Sequence, residues 1–146
     1  DTIARIKQSV RIPIIANGDI NTPKKAAQVL AHTKADGLMI GRPAMGKPWL
    51  FDQIQHYLVT GANKPDPEIS LRLRIIETHL KEIHVFYGKT KGVWYARKHV
   101  ARYVEGLKNS KEFLRSFNKK TEGPAQIDLL GSYFASLAKD CEAESA

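Results

Sequence analysis

Two short apolar runs, each cut off by glycine, constrain this chain more than any other feature. Ile12-Pro13-Ile14-Ile15-Ala16 is ended by Asn17-Gly18-Asp19, and Gly37-Leu38-Met39-Ile40 by Gly41-Arg42. A continuous apolar run bounded by turn residues is the pattern of a strand buried on both faces of a parallel sheet. Pro13, which has no N–H to give, fits only near the strand start. Between the runs, Thr22 and Pro23 form an N-cap and first-turn pair. Ala26, Ala27, Val29 and Leu30 then supply the apolar side of a helix reaching about Thr33. Strand, helix, strand at this spacing is a βαβ unit. Two strands alone make no stable sheet in water. The N-terminal part is therefore expected to belong to a larger α/β domain. The chain opens at Asp1, without Met, in what reads as a helix end, so a fragment is expected.

The remainder has helical periodicity. A short helix is expected after Pro43, through Trp49, Phe51, Ile54 and Tyr57, with Trp49 a core or domain-seam residue. Residues 60–67 are polar and rich in Gly, Pro and Asn. That composition marks a boundary, giving a first domain over 1–60 and a linker over 61–67. Beyond it Ile69, Leu73, Ile76, Leu80, Ile83 and Tyr87 recur at steps of three and four, one apolar stripe on one long helix. Gly88 stops that helix. A second helix is expected from about Gly92 to Leu107. Asn109 can cap a third, with Glu112 as its capping-box partner, burying Phe113, Leu114 and Phe117. A fourth, from near Pro124, buries Ile127, Leu130, Phe134 and Leu137. The helical domain is thus expected over 68–140, with a disordered tail over 141–146.

Charge narrows the partners. Hydrophobic residues make up 42% and charged residues 26%, a globular balance. The apolar runs are far too short to cross a bilayer. The net charge of +8 suits a nucleic acid or another polyanion, or simply a basic soluble protein. The one cysteine, Cys141, excludes a disulfide framework or cysteine metal site within one chain. It fits a reducing, cytoplasmic setting and is a poor candidate nucleophile.

Two places carry candidate chemistry. In α/β folds ligand sites gather at the carboxyl ends of strands, and in barrels the last two strand ends often hold a phosphate. Here Gly18 and Gly41 let backbone amides approach an anion, and Arg42 adds a bidentate charge. The helix after Pro43 would aim its positive end there. Asp19 would repel a phosphate and is expected to cap the next helix or orient neighbouring amides. Taken singly, each loop reads as a turn glycine with a surface charge; the two together read as a phosphate corner.

The second place is the helix over 92–107. On a wheel of about 100° per residue, Val93, Ala96, Val100, Tyr103, Val104 and Leu107 share one face. Lys91, Tyr95, Lys98 and Arg102 share the opposite one. Trp94 and His99 flank it, Arg97 sits nearer the apolar edge, and Lys89 extends the charge. Basic residues interleaved with aromatics suit a phosphate backbone and stacked bases. The alternative is a solvated face, although Glu105 is the only acid close by. His79, Glu82 and His84 invite a metal reading, but His84 falls elsewhere on the wheel, and no metal is expected. Asp1 and Asp36 show no pairing that suggests acid–base work.

These segments resemble a known family. Ile14-Ile15-Ala16-Asn17-Gly18-Asp19-Ile20 resembles the signature at the barrel end of tRNA-dihydrouridine synthases. Ala35-Asp36-Gly37-Leu38-Met39-Ile40-Gly41-Arg42-Pro43-Ala44 and Gly46-Lys47-Pro48-Trp49 are similar to that family's next segment. Tyr87-Gly88, Lys91-Gly92 and Ala96-Arg97-Lys98-His99 resemble the helical domain of its bacterial B-type members. The resemblance runs from about Ile3 to Leu137. It implies the last βα units of an FMN-binding TIM (β/α)8 barrel followed by a C-terminal helical bundle that binds tRNA. It implies reduction of the C5=C6 bond of particular uridines, with NADPH reducing the flavin first. Asn17, Gly18, Asp19, Gly41 and Arg42 match positions at the FMN phosphate. Arg97, Lys98 and His99 match a basic motif facing tRNA; Lys91, Tyr95 and Arg102 join them from the wheel. The family's catalytic cysteine, and the lysine and histidine that contact flavin or substrate, lie upstream of anything in this sequence. Cys141 is no substitute, so these residues alone are expected to be inactive. A monomer is expected. Two other readings stay open: a tRNA-binding module without catalysis, and another FMN-dependent barrel oxidoreductase.

Overall fold

The computed structural model describes residues 2–144, with side chains described for 2–140. The chain divides into two compact units, Asp1–Asp66 and Pro67–Ala146.

The first unit is built on the βαβ pattern. Its elements are α1 (Thr2–Ser9), β1 (Ile15–Asn17), α2 (Pro23–Thr33), β2 (Gly37–Met39), a 3-10 turn (Arg42–Ala44) and α3 (Leu50–Thr60). β1 and β2 pair in parallel, with Ile15 opposite Gly37, Ala16 opposite Leu38 and Asn17 opposite Met39. Thr22 caps α2: its hydroxyl accepts from the Lys25 N–H at 3.1 Å, and Pro23 opens the first turn. Lys34 closes that helix in the left-handed region.

Asp36 fastens the strands where β2 begins. Its N–H donates to the Ile14 carbonyl at 2.8 Å, and its carboxylate accepts from the Ile14 N–H at 2.7 Å. The same carboxylate holds Lys7 of α1 at 2.6 Å. Lys7 donating to it, then the Ile14 N–H, keep this acid below the usual carboxylate range.

Ile20, Ala26, Leu50 and Ile54 form the core, with Val29, Leu38 and Ile40 packed against it. The strands were expected to be buried on both faces. Of β1 only Ala16 is buried, and Ile15 and Met39 are each 57% exposed. Among the described residues no further strand lies beside them to cover the second face.

The helix expected after Pro43 is also different. A single 3-10 turn comes first, and α3 starts only at Leu50. Gly46, with positive φ, and Pro48, which lacks an N–H, interrupt the run between them. The polar stretch that follows is tied back onto α3. Trp49 Nε1 and Gln53 Nε2 both donate to Asp66, and Lys64 pairs with Asp52 at 2.6 Å.

The second unit is all helix: α4 (Ile69–Tyr103), α5 (Ser110–Lys119) and α6 (Gly123–Glu144). α4 is two limbs, 69–87 and 89–103, meeting at Gly88 with φ 75° and ψ 178°. The left-handed φ favours glycine. The limbs fold back on each other. A Cβ on Gly92 would lie 2.8 Å from the His84 Cα, whereas eight residues along a straight helix span about 12 Å. Helix therefore resumes at Lys89 rather than near Gly92, and it ends at Tyr103 rather than Leu107.

Ile76, Leu80 and Ile83 of the first limb meet the interior formed with Val93, Ala96 and Val100, Phe113 and Phe117, and Leu130, Phe134 and Leu137. Gln126 is fully buried but satisfied. Its Oε1 lies 2.9 Å from His84 Nε2, and its Nε2 donates to the Val93 carbonyl at 3.2 Å. Leu114 and Ile127, expected in the core, are only half-buried.

Two other expectations fail locally. Asn109 sits in the left-handed region at φ 56° and makes no side-chain cap, so the capping box with Glu112 is absent. A capping side chain reaches the helix amides from extended backbone, which Asn109 lacks. α6 continues to Glu144, into the stretch expected to be a disordered tail. The Cys141 side chain, Asp1 and residues 145–146 lie outside the described residues.

Candidate functional site

The parallel register decides what meets at the strand ends. With Asn17 opposite Met39, the segments 17–19 and 40–42 leave the sheet at the same end. Gly18 takes φ +151° and Asp19 φ +44°. Around Gly18 and Gly41 the space is open: a Cβ on either would meet nothing within 4 Å. Arg42 Nη2 donates to Asp19 Oδ1 at 2.8 Å, joining the two strand ends. The pair is well exposed, at 85% and 81% of the side chains, and contributes at most about 1 kcal/mol. Its effect is to tie the guanidinium of one strand end to the carboxylate of the other. Asp19 therefore does not cap α2; Thr22 does.

Two features of the expected phosphate corner are thus brought together: open backbone beside glycines, and a guanidinium. The third, a helix end aimed at it from just beyond Pro43, is missing. The 3-10 turn there has three residues, too few to add up a helix dipole.

In the second unit the limb 89–103 buries the apolar face read from the sequence, including Val93, Ala96, Val100 and Tyr103. Lys91, Tyr95, Lys98 and Arg102 are exposed along the opposite side. Arg102 reaches Glu105 at 3.5 Å, while among the described residues Lys91 and Lys98 make no ion pair.

Arg97 and His99 are not on that line. Arg97 is half-buried and donates Nη2 to the Lys120 carbonyl at 3.2 Å, at the end of α5; its buried Nε has no partner. A cation suits that helix end, where carbonyls lack partners. His99 turns edge-on to His79 at 4.8 Å, and His79 Nδ1 lies 3.0 Å from the Tyr103 hydroxyl. Burial, then the charges of His79 and Lys98, push His99 below the ordinary histidine range. His84 is spoken for by Gln126, so His79 and His84 serve separate partners.

The hairpin also gathers residues that the periodicity hid. Tyr87, counted in the buried stripe, is 41% exposed and stacks on Tyr95 at 4.2 Å between ring centres. Phe86, 81% exposed, meets Tyr87 edge-on at 4.8 Å. The signal was a pair of consecutive aromatics immediately before a helix-stopping glycine.

Comparison with known proteins adds an independent finding. Residues 1–136 match the family model described as dihydrouridine synthase. The chain is 48% identical, over 95% of its length, to tRNA-dihydrouridine synthase B of Pseudomonas syringae pv. tomato, and covers 41% of that protein. It is 47% identical over 94% of its length to tRNA-dihydrouridine synthase B of Salmonella typhimurium, covering 43%. For the Pseudomonas putida protein of that name the figures are 45%, 99% and 43%. The chain thus spans about two fifths of the length of these curated relatives.

Proposed function

Since this chain belongs to the dihydrouridine synthase family, we propose that it forms part of a B-type tRNA-dihydrouridine synthase, an enzyme that reduces the C5=C6 bond of specific uridines in tRNA. Residues 1–60 are the closing βα units of the barrel, and residues 68–140 are the tRNA-binding helical domain. One observation carries the reading. The same chain has an anion-ready strand end in one unit and an exposed basic, aromatic helix line in the other.

The residues at the strand ends fit the phosphate of FMN. Arg42 keeps its Nε and Nη1 donors when Nη2 is given to Asp19, and open backbone lies at Gly18 and Gly41. Asn17 stands exposed beside them as a further polar contact. A reduced flavin supplies the hydride for such a reaction, with NADPH as its electron source, and the protein holds and orients. Arg42 and the two glycines would hold the phosphate end, while Asp19 keeps Arg42 in place. The proton donor, the family's cysteine, lies outside these residues.

Lys91, Lys98 and Arg102 would neutralise tRNA phosphates, with Tyr95 offering a ring to a base. Arg97 and His99 support that surface from beneath, by anchoring the limb to α5 and to the first limb. The reading includes a cytoplasmic monomer. Among the described residues no helix is long and apolar enough to cross a membrane.

The test is the dihydrouridine map of tRNA from cells disrupted in this gene and retaining no other synthase of the family. Loss of one or more dihydrouridines, restored by the complete gene, is expected. A site that stays modified throughout would leave tRNA binding without catalysis as the better reading.

A further inference from the structure

We propose that Phe86, Tyr87 and Tyr95 form a stacking platform for an unpaired nucleobase of RNA, at the tip of the hairpin in α4. The inference rests on the tRNA reading above and adds two rings to Tyr95 of the wheel: Phe86, and Tyr87, which the stripe had assigned to the core.

The geometry is pre-set. Gly88 turns the chain so that the last residue of the first limb lies over the second turn of the next limb. Tyr87 and Tyr95 are stacked with 29° between their planes, and Phe86 stands at 80° to Tyr87. Offset or edge-on ring pairs of this kind are favourable in themselves, so the platform is ordered before any ligand arrives. Its outer surface is nonetheless bare. Phe86 is 81% exposed, with Val85 beside it at 85% and Trp94 at 60%.

The surroundings select the occupant. Lys91 sits one turn from Tyr95 on the same side, with Lys89 at the corner and Lys98 along the line. Among the described residues these three lysines make no ion pair. Bare ring faces beside uncommitted cations are what a single-stranded nucleic acid requires: a base to stack, and a backbone to neutralise. A duplex satisfies only the second need, because its base faces are already covered.

The measurement is tRNA binding by the full-length protein across a range of salt concentrations. Replacing Phe86 and Tyr87 together by Ala is expected to weaken binding about tenfold. The slope of log K against log salt should stay unchanged, because no phosphate contact is removed. Lys91→Ala with Lys98→Ala should instead lower that slope, by about 0.7 to 0.9 for each lysine. Tyr87→Phe should bind like the parent, since the ring and not the hydroxyl does the stacking. Phe86→Leu separates stacking from burial, because it keeps an apolar side chain and removes the ring. Weakened binding by Phe86→Leu, with an unchanged melting temperature, supports the platform.

Unchanged affinity when Phe86 and Tyr87 are both replaced by Ala, or in Phe86→Leu, overturns the platform alone, with the parent still binding tRNA. So does an equal loss on a fully paired RNA duplex. A lowered melting temperature with unchanged affinity also overturns it, showing that the rings pack against another part of the protein. A parent protein with no salt-dependent tRNA binding overturns the tRNA reading itself.

Discussion

Arg42 and Asp36 each join two strand-end segments, at opposite ends of the same sheet, and for different purposes. Arg42 is exposed and holds one carboxylate with one nitrogen. Removing it takes little from stability, so any loss falls on the ligand. Arg42→Ala in the full-length protein is expected to weaken FMN retention about tenfold, the scale of one charge-assisted contact. The flavin-to-protein ratio after gel filtration measures this; a variant that keeps its flavin removes Arg42 from the phosphate site.

Asp36 is structural. Lys7, then the Ile14 N–H, hold its pKa below the ordinary value of 3.8. A depressed carboxylate stabilises the fold above its unfolded value and loses that contribution as pH falls through the folded one. Asp36→Asn should therefore lower the urea midpoint near neutral pH, and the gap to the parent should close below pH 3.8. A gap that persists in acid would assign the effect to the Ile14 N–H bond to this side chain rather than to its charge. The carboxylate at the strand start could be listed from the sequence. Its partners could not, because Lys7 and Ile14 meet it only through the sheet. The same is true of Asp19, whose partner Arg42 lies 23 residues away.

At the scale of elements, the hairpin in α4 sets which side chains of its two limbs are buried and which are exposed. Its limbs approach so closely that Gly92 faces the His84 backbone, with 2.8 Å for an added Cβ. Backbone cannot swing aside as a side-chain tip can. Gly92→Ala is expected to cost about 1–3 kcal/mol, read as a lower melting temperature. An unchanged melting temperature would mean the limbs separate at no cost. The exposed line beyond that contact belongs to the same element. Replacing Lys98 and Arg102 together by Ala should weaken tRNA binding and flatten its salt dependence. Unchanged affinity and slope would remove this face from the RNA interface.

Helical periodicity made the limbs' buried faces legible: Ile76, Leu80, Ile83, Val93, Ala96 and Val100 all lie inside. Gly88 was legible as a stop. Nothing local says that helix resumes at the next residue in the reverse direction, since that depends on what the two limbs bury together. Tyr87 was therefore assigned to the core when it belongs to the tip. Arg97 shows the same limit from the other side: its wheel position hinted at an inward turn, but the α5 carbonyl it serves is 23 residues away. Asn109 had the right residue type for a cap and the wrong backbone, which composition does not encode.

Over the whole molecule, the sequence motifs and the match to relatives meet in one account, with the βαβ pattern and the basic helix falling in separate units. The units differ in what they leave uncovered. The helical unit closes its interior with Phe117, Phe134, Leu130 and Leu80, each under 2% exposed. The βαβ unit presents Ile12, ahead of β1, at 66%, and Ile15 and Met39, on strands of three residues, at 57%. Expressed as separate polypeptides, the two would behave unlike each other. The helical piece keeps its interior closed, and its barest apolar side chains, Val85 and Phe86, stand together at the hairpin tip. The βαβ piece, with unpaired strand edges and bare isoleucines, would recruit copies of itself and come out of solution.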